Sequence, residues 1–153
     1  SGRGRARILA MSYRPMTGDE WMAFVVARPR PAVLATARSD GRPHAAPVWI
    51  DVDQGAVWFN TGAETVKGRN LARSGVAAIC VQDDQPPFSF VVVEGTVELI
   101  DDIELVRTWA ARLGGRYMGA DRAEEFGDRN GVPGELLVKL TPTNVISAVD
   151  VAD

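Results

Sequence analysis

A chain of 153 residues, 46% hydrophobic and 24% charged, can bury one core and needs no second domain. Its formal charge of −3 becomes −6 once Arg3, Arg5 and Arg7, which lie in an acid-free first ten residues, are set aside, and an acidic body without a basic stripe argues against a nucleic-acid partner. No apolar run approaches the ~20 residues that cross a bilayer, and no signal-peptide series opens the chain, so a cytoplasmic protein with no membrane partner is expected.

Residues 1–10 begin Ser-Gly and precede Met11, a natural start; they read as a tag or upstream extension, with residues 11–153 the single domain. The alternative is a short basic arm that pairs with acids on a partner. Thr17-Gly-Asp-Glu20 is a capping-box pattern, and Trp21, Phe24 and Val25 recur behind it at helical spacing, so a first helix runs to Ala27 or Arg28 and stops before Pro29 and Pro31. Ala32 to Ala37 is a strand, Ser39-Asp-Gly-Arg42 a tight hairpin, and Pro43 to Asp51 the return strand. Pro47 cannot donate to a ladder, which suggests an edge, a bulge or a backbone face left to a ligand.

Asp51-Val-Asp-Gln-Gly55 turns the chain again, and Ala56 to Phe59 is a third strand that ends in a polar turn, Asn60-Thr61-Gly62. A short helix then carries Lys67, Arg69 and Asn70 and stops at Gly75. Val76 to Gln82 is so apolar that burial on both faces is expected, with Cys80, the single cysteine, a buried reduced thiol. Asp83 to Pro87 is a loop. Phe88 to Glu94 and Thr96 to Ile100 form one bent strand or two, with Gly95 at the bulge. Asp101 or Asp102 caps a helix whose apolar face is Ile103, Val106, Trp109, Ala110 and Leu113, ending at Gly114-Gly115. Arg116 to Gly134 is charged and glycine-punctuated, with one short helix near Asp121 to Phe126; Glu135 to Leu140 and Asn144 to Val149 close the sheet, split at Pro142. Short strands joined by tight turns, with helices inserted rather than alternating, give a mainly β (α+β) fold: a six- to eight-stranded antiparallel split barrel with peripheral helices.

The chemical inventory is sparse. The single histidine, His44, opens a strand after a turn, where solvent exposure or a bond to the neighbouring loop is expected, and no nucleophile elbow accompanies it. One histidine and one cysteine make no metal site, and neither dinucleotide nor P-loop glycine pattern occurs. Lys67 is the exception: the first turn of a helix favours anions, so a lysine there either pairs with Glu64 or points at a bound phosphate together with the free amides. Trp49 and Trp58 pack in the core or against a flat ring. A site that holds a cofactor and lets it do the chemistry fits this inventory.

In order, S-D-G-R-P-H-A-A-P-V-W, W-F-N-T-G-A-E-T-V-K-G-R-N-L-A-R-S-G-V-A-A-I-C-V, V-E-G-T-V-E-L and R-Y-M-G resemble the pyridoxamine 5'-phosphate oxidase-like split-barrel flavoproteins. Among these the chain looks most like the actinobacterial branch that uses the deazaflavin coenzyme F420, over about Thr17 to Val149. The resemblance implies a homodimer with the cofactor in a groove between subunits. Ala46, Pro47, Val48 and Trp49 would pass along the tricyclic ring, Thr61 and Lys67 would hold the phosphate, and Asn70 would fix the helix to the barrel. Some members place an arginine two residues before the lysine; here it is Thr65, with Arg69 or a residue of the second subunit as its replacement. Arg116 and Tyr117 match an R-Y pair, and interface packing is an equal reading of them. The implied reaction is hydride transfer from reduced deazaflavin to an unsaturated acceptor such as a tetrapyrrole or an enone, with no side chain assigned as catalytic acid. The alternatives are FMN-dependent chemistry on the same fold, or a non-catalytic cofactor carrier.

Overall fold

A computed structural model describes residues 14–152. The proposed extension at residues 1–10 and the Met11 start lie outside the described residues. In chain order the elements are α1 (Gly18–Val26), β1 (Ala32–Ala37), β2 (Pro43–Val48), β3 (Asp51–Asp53), β4 (Ala56–Gly62), α2 (Val66–Ser74), β5 (Val76–Gln82), β6 (Phe90–Ile100), α3 (Ile103–Met118), a 3₁₀ turn (Ala120–Arg122), α4 (Ala123–Asn130) and β7 (Glu135–Ala148). The strands form one antiparallel sheet in the order β2-β1-β5-β6-β7-β4-β3. Leu34, Phe59, Ile79, Val91, Val93, Val138 and Leu140 fill its concave face. This curled half-barrel is the expected split-barrel class.

The first and last strands of the sheet are joined by only two residues, Trp49 and Ile50. Val48 and Asp51 are therefore no more than about 11 Å apart along even a fully extended chain, so the edges must approach one another and the sheet must curl. The return strand is accordingly shorter than Pro43 to Asp51: it breaks at Trp49, and Asp51–Asp53 starts a new hairpin whose turn is Gln54-Gly55 alone. Ile50 pairs with no strand, and helix α3 supplies what the ladder does not. Ile50 N–H donates to the Tyr117 hydroxyl (3.2 Å), and the Arg116 guanidinium donates to Ile50 C=O (3.1 Å). Arg116 also donates to the carbonyls of Val25, Val26 and Arg28, and Tyr117 to that of Arg30 (2.7 Å). The R-Y pair thus ties α3, the end of α1 and the seam together within one chain, satisfying backbone groups that would otherwise be orphaned.

Other boundaries shift for identifiable reasons. β4 continues through Asn60, Thr61 and Gly62, because β7 pairs with it as far as Glu135, so the polar stretch is strand and not turn. β6 starts at Phe90, and β6 and β7 each run unbroken past Gly95 and Pro142; the irregularity is a register shift at Glu94/Gly95 that absorbs Thr143. β5 is buried on one face and half-buried on the other, where Cys80 lies, so the thiol is less enclosed than expected. Burial still raises its pKa. Helix α3 passes through Gly114-Gly115 to Met118. Gly114 meets Phe126 of α4, where a Cβ would collide with that ring, so the glycines allow two helices to touch instead of ending one. The segment after Arg116 is consequently helical over Ala120–Arg122 and Ala123–Asn130. Asp102 is the α3 cap, and Ile103 is exposed, outside the buried face. The capping box at Thr17 and Glu20 forms as expected.

Candidate functional site

A cavity of about 610 Å³ opens at the seam. One wall is the end of edge strand β2 and the seam itself: Pro47, Val48 and Trp49, with Pro31 beside them. The floor is the end of β4 and the start of α2: Asn60, Thr61, Gly62, Thr65 and Lys67. Ala110 and Leu113 of α3, Asn130 and Glu135 complete it.

The floor is built by close approach. Gly68 in the first turn of α2 sits against the Gly62 carbonyl, where a Cβ would collide with backbone oxygen. Thr65 is the helix cap, accepting from Gly68 N–H (3.1 Å) and donating to Gly62 C=O (2.7 Å). The Thr65 and Thr61 hydroxyls are 3.3 Å apart. Among the described residues, the Val66 and Lys67 amides and the Lys67 ammonium meet no acceptor. Of these, Lys67 lines the cavity beside the Thr61 hydroxyl, at the start of a helix, an arrangement suited to an anion. Glu64 does not occupy Lys67; it pairs with Arg69 (2.8 Å).

Pro47, Val48, Trp49, Thr61 and Lys67, expected at the site, come together in this cavity. Ala46 precedes them on β2 and does not line it. Arg69 is exposed and turned to Glu64. Asn70 is buried: its amide donates to the Thr36 hydroxyl of β1 (3.0 Å), and its carbonyl oxygen accepts from Arg73 (3.2 Å), so it fixes α2 to the sheet from outside the cavity. Pro47 is exposed on an edge strand, where its missing N–H costs no ladder bond. His44 is half-buried rather than solvent-exposed, with Nδ1 buried and unpartnered among the described residues.

Trp49 is held from behind. Its ring stacks on Tyr117 (5.3 Å between centroids) and meets Phe126 edge-on (5.4 Å). Trp58 faces elsewhere, stacked on Trp109 (4.8 Å) with its indole N–H donating to Asp53 C=O. Sequence reasoning did not find Glu135 or Asn130. Glu135 reaches the cavity because it pairs with Gly62, 73 positions away, a long-range register that carries no local signal. Burial raises the Glu135 carboxyl above the usual range, and Lys67 pulls it partly back.

A curled antiparallel half-barrel with a cavity at its open seam defines the class. The family model for pyridoxamine 5'-phosphate oxidase matches residues 18–147, and the chain belongs to that family. The pyridoxine/pyridoxamine 5'-phosphate oxidase of Myxococcus xanthus is 36% identical over 97 residues, 63% of this chain and 47% of that protein. The Burkholderia multivorans enzyme of that name is 34% identical over 70% of this chain and 50% of its own length. The chain thus spans about half the length of the curated relatives it matches. Among solved structures, a conserved hypothetical protein of Mycobacterium tuberculosis is similar at TM-score 0.77 and 26% identity, covering 88% of this chain and 86% of that one. An F420 reductase is similar at TM-score 0.65 and 26% identity, over 81% and 94%. No helix among the described residues is long and apolar enough to cross a membrane.

Proposed function

We propose that the protein is an oxidoreductase that binds coenzyme F420 in the seam cavity, phosphate at Lys67 and ring toward Trp49. The observation that carries this is Lys67 at the start of α2, without a partner among the described residues and in the same cavity as the edge backbone of Pro47–Trp49. Thr61 and the Lys67 ammonium bind the phosphate end; the Val48–Trp49 wall, braced by Tyr117 and Phe126, orients the flat end and excludes water from it. The chemistry such a cofactor supplies when bound is hydride transfer to an unsaturated acceptor, a tetrapyrrole or an enone.

The working form is a homodimer with the cofactor between subunits. Its support is the convex face of the sheet, where Pro47, Val33, Cys80, Val92 and Ile146 align across five strands as one apolar row. Val33 and Ile146 are 45% and 48% exposed, and the row ends at Pro47, on the rim of the cavity. The similarity to an F420 reductase supports the deazaflavin; the names of the curated relatives favour a second reading, FMN-dependent oxidase or reductase chemistry.

Titration separates them. Deazaflavin fluorescence should be quenched or shifted at micromolar cofactor, with FMN binding more weakly; tighter FMN binding moves the assignment to the flavin reading. Reduced deazaflavin should then be consumed on adding biliverdin or a member of a small enone panel, and binding without consumption makes the protein a carrier.

A further inference from the structure

We propose that Glu135 selects the charge of the bound phosphate group: the seam cavity accepts a phosphate carrying one negative charge, a diester, and discriminates against a phosphomonoester dianion. This rests on the reading that Lys67 holds the phosphate.

Lys67 and Glu135 are the two charged side chains lining the cavity among the described residues, so its wall is neutral overall. They form no ion pair within 4 Å and have no other side-chain partner, yet each lies within the other's field. They line the same cavity without cancelling in contact.

Glu135 is also held in place. Its N–H donates to Val132 C=O (3.1 Å), the neighbouring Gly134 carbonyl accepts from Ala63 N–H (2.8 Å), and Glu135 pairs with Gly62 at the floor. Its Oε1 would lie 3.6 Å from a Cβ on Gly62, and the Thr65 methyl flanks the same point at 3.1 Å, so the carboxylate stands over Gly62, on the same cavity floor as Thr65 and Lys67.

A phosphate at Lys67 is therefore also beside a carboxylate. A diester brings one negative charge, which Lys67 neutralises. A monoester near pH 7 brings between one and two, and the excess meets Glu135 with no second cation on this wall to offset it. Like charges in a partly enclosed site repel appreciably more than in water. The selection falls on the charge of the phosphate group itself, not on ring shape or on the ligand's net charge: among flavin-type cofactors it favours coenzyme F420, whose phosphate is a diester, over FMN.

The experiment compares riboflavin, FMN and coenzyme F420 binding to the full chain and to Glu135→Gln, with Lys67→Ala alongside. Glu135→Gln should tighten FMN about five- to tenfold. It should tighten F420 by a smaller factor and leave riboflavin, which has no phosphate, unchanged. Equal gains for FMN and riboflavin, or no gain for FMN, overturn the proposal. Glu135→Ala removes the same charge without the amide and must show the same order if Gln perturbs folding. Should Lys67→Ala leave FMN and F420 unchanged, the phosphate reading itself fails; should it weaken both while Glu135→Gln alters neither ratio, only charge selection fails.

Discussion

Lys67 is costly where it stands, since a cation at the start of a helix opposes the macrodipole and no carboxylate among the described residues contacts it. A phosphate there would join a charge-assisted contact to the Lys67 amide, unmet among the described residues. Lys67→Ala should therefore weaken cofactor binding by about 1.5–3 kcal/mol, roughly ten- to a hundredfold in Kd by fluorescence titration. An unchanged Kd removes the phosphate role. Of the residues around it, Thr61 and Lys67 were legible because strand, polar stretch and helix adjoin in sequence. Arg69 was not, because spacing offers Glu64 to both Lys67 and Arg69, and only the direction each side chain takes decides between them. Glu135 was invisible for the stronger reason that its contact is made by strand pairing.

At the scale of elements, caps and stops were legible and interruptions were not. Thr17, Glu20, Asp102 and Gly75 act through bonds a few residues long, and each falls where local chemistry puts it. Gly114, Gly95 and Pro142 look like breaks in sequence. The helix and strands run through them because α4 packs on Gly114 and the β6–β7 ladder resumes after one shift in register. The α1 cap also has a pH signature. Arg14 donates two hydrogen bonds to Glu20 (2.9 and 3.0 Å), and with the Thr17 amide holds its carboxyl down to about 2, from an ordinary 4.5. The folded pKa is the lower one, so this stabilisation is fully present above the ordinary value and is lost as pH falls toward 2. Glu20→Gln should lower the urea midpoint at pH 6 and flatten its fall between about pH 5 and 2.5; parallel wild-type and variant profiles would show that the cap carries no such linkage.

For the whole molecule, one-sided strands specify a curled sheet, and the alternation along β1 (Ala32, Leu34 and Thr36 in; Val33, Ala35 and Ala37 out) is visible in its residues. The strand order is not, since it depends on which edges meet. Nor is the aligned apolar row, which needs the register of five strands at once. If that row is the dimer face, sedimentation of the wild-type chain should give a dimer. Val33→Asp or Ile146→Asp should then give a folded monomer, with unchanged far-UV circular dichroism and weakened cofactor binding. A wild-type monomer that binds cofactor fully would overturn the shared-groove reading.

The dipeptide Trp49-Ile50 has a mechanical consequence. Every other junction in the sheet is fastened by strand ladders, whereas here two edges meet through a single covalent joint latched by Arg116 and Tyr117. A change in the width of the half-barrel at this joint would break no ladder bond and would be resisted only by the Arg116 and Tyr117 latch. The joint carries Trp49, so a change in the curvature of the sheet would turn the cavity wall, and a ligand wedged against that wall would resist the change.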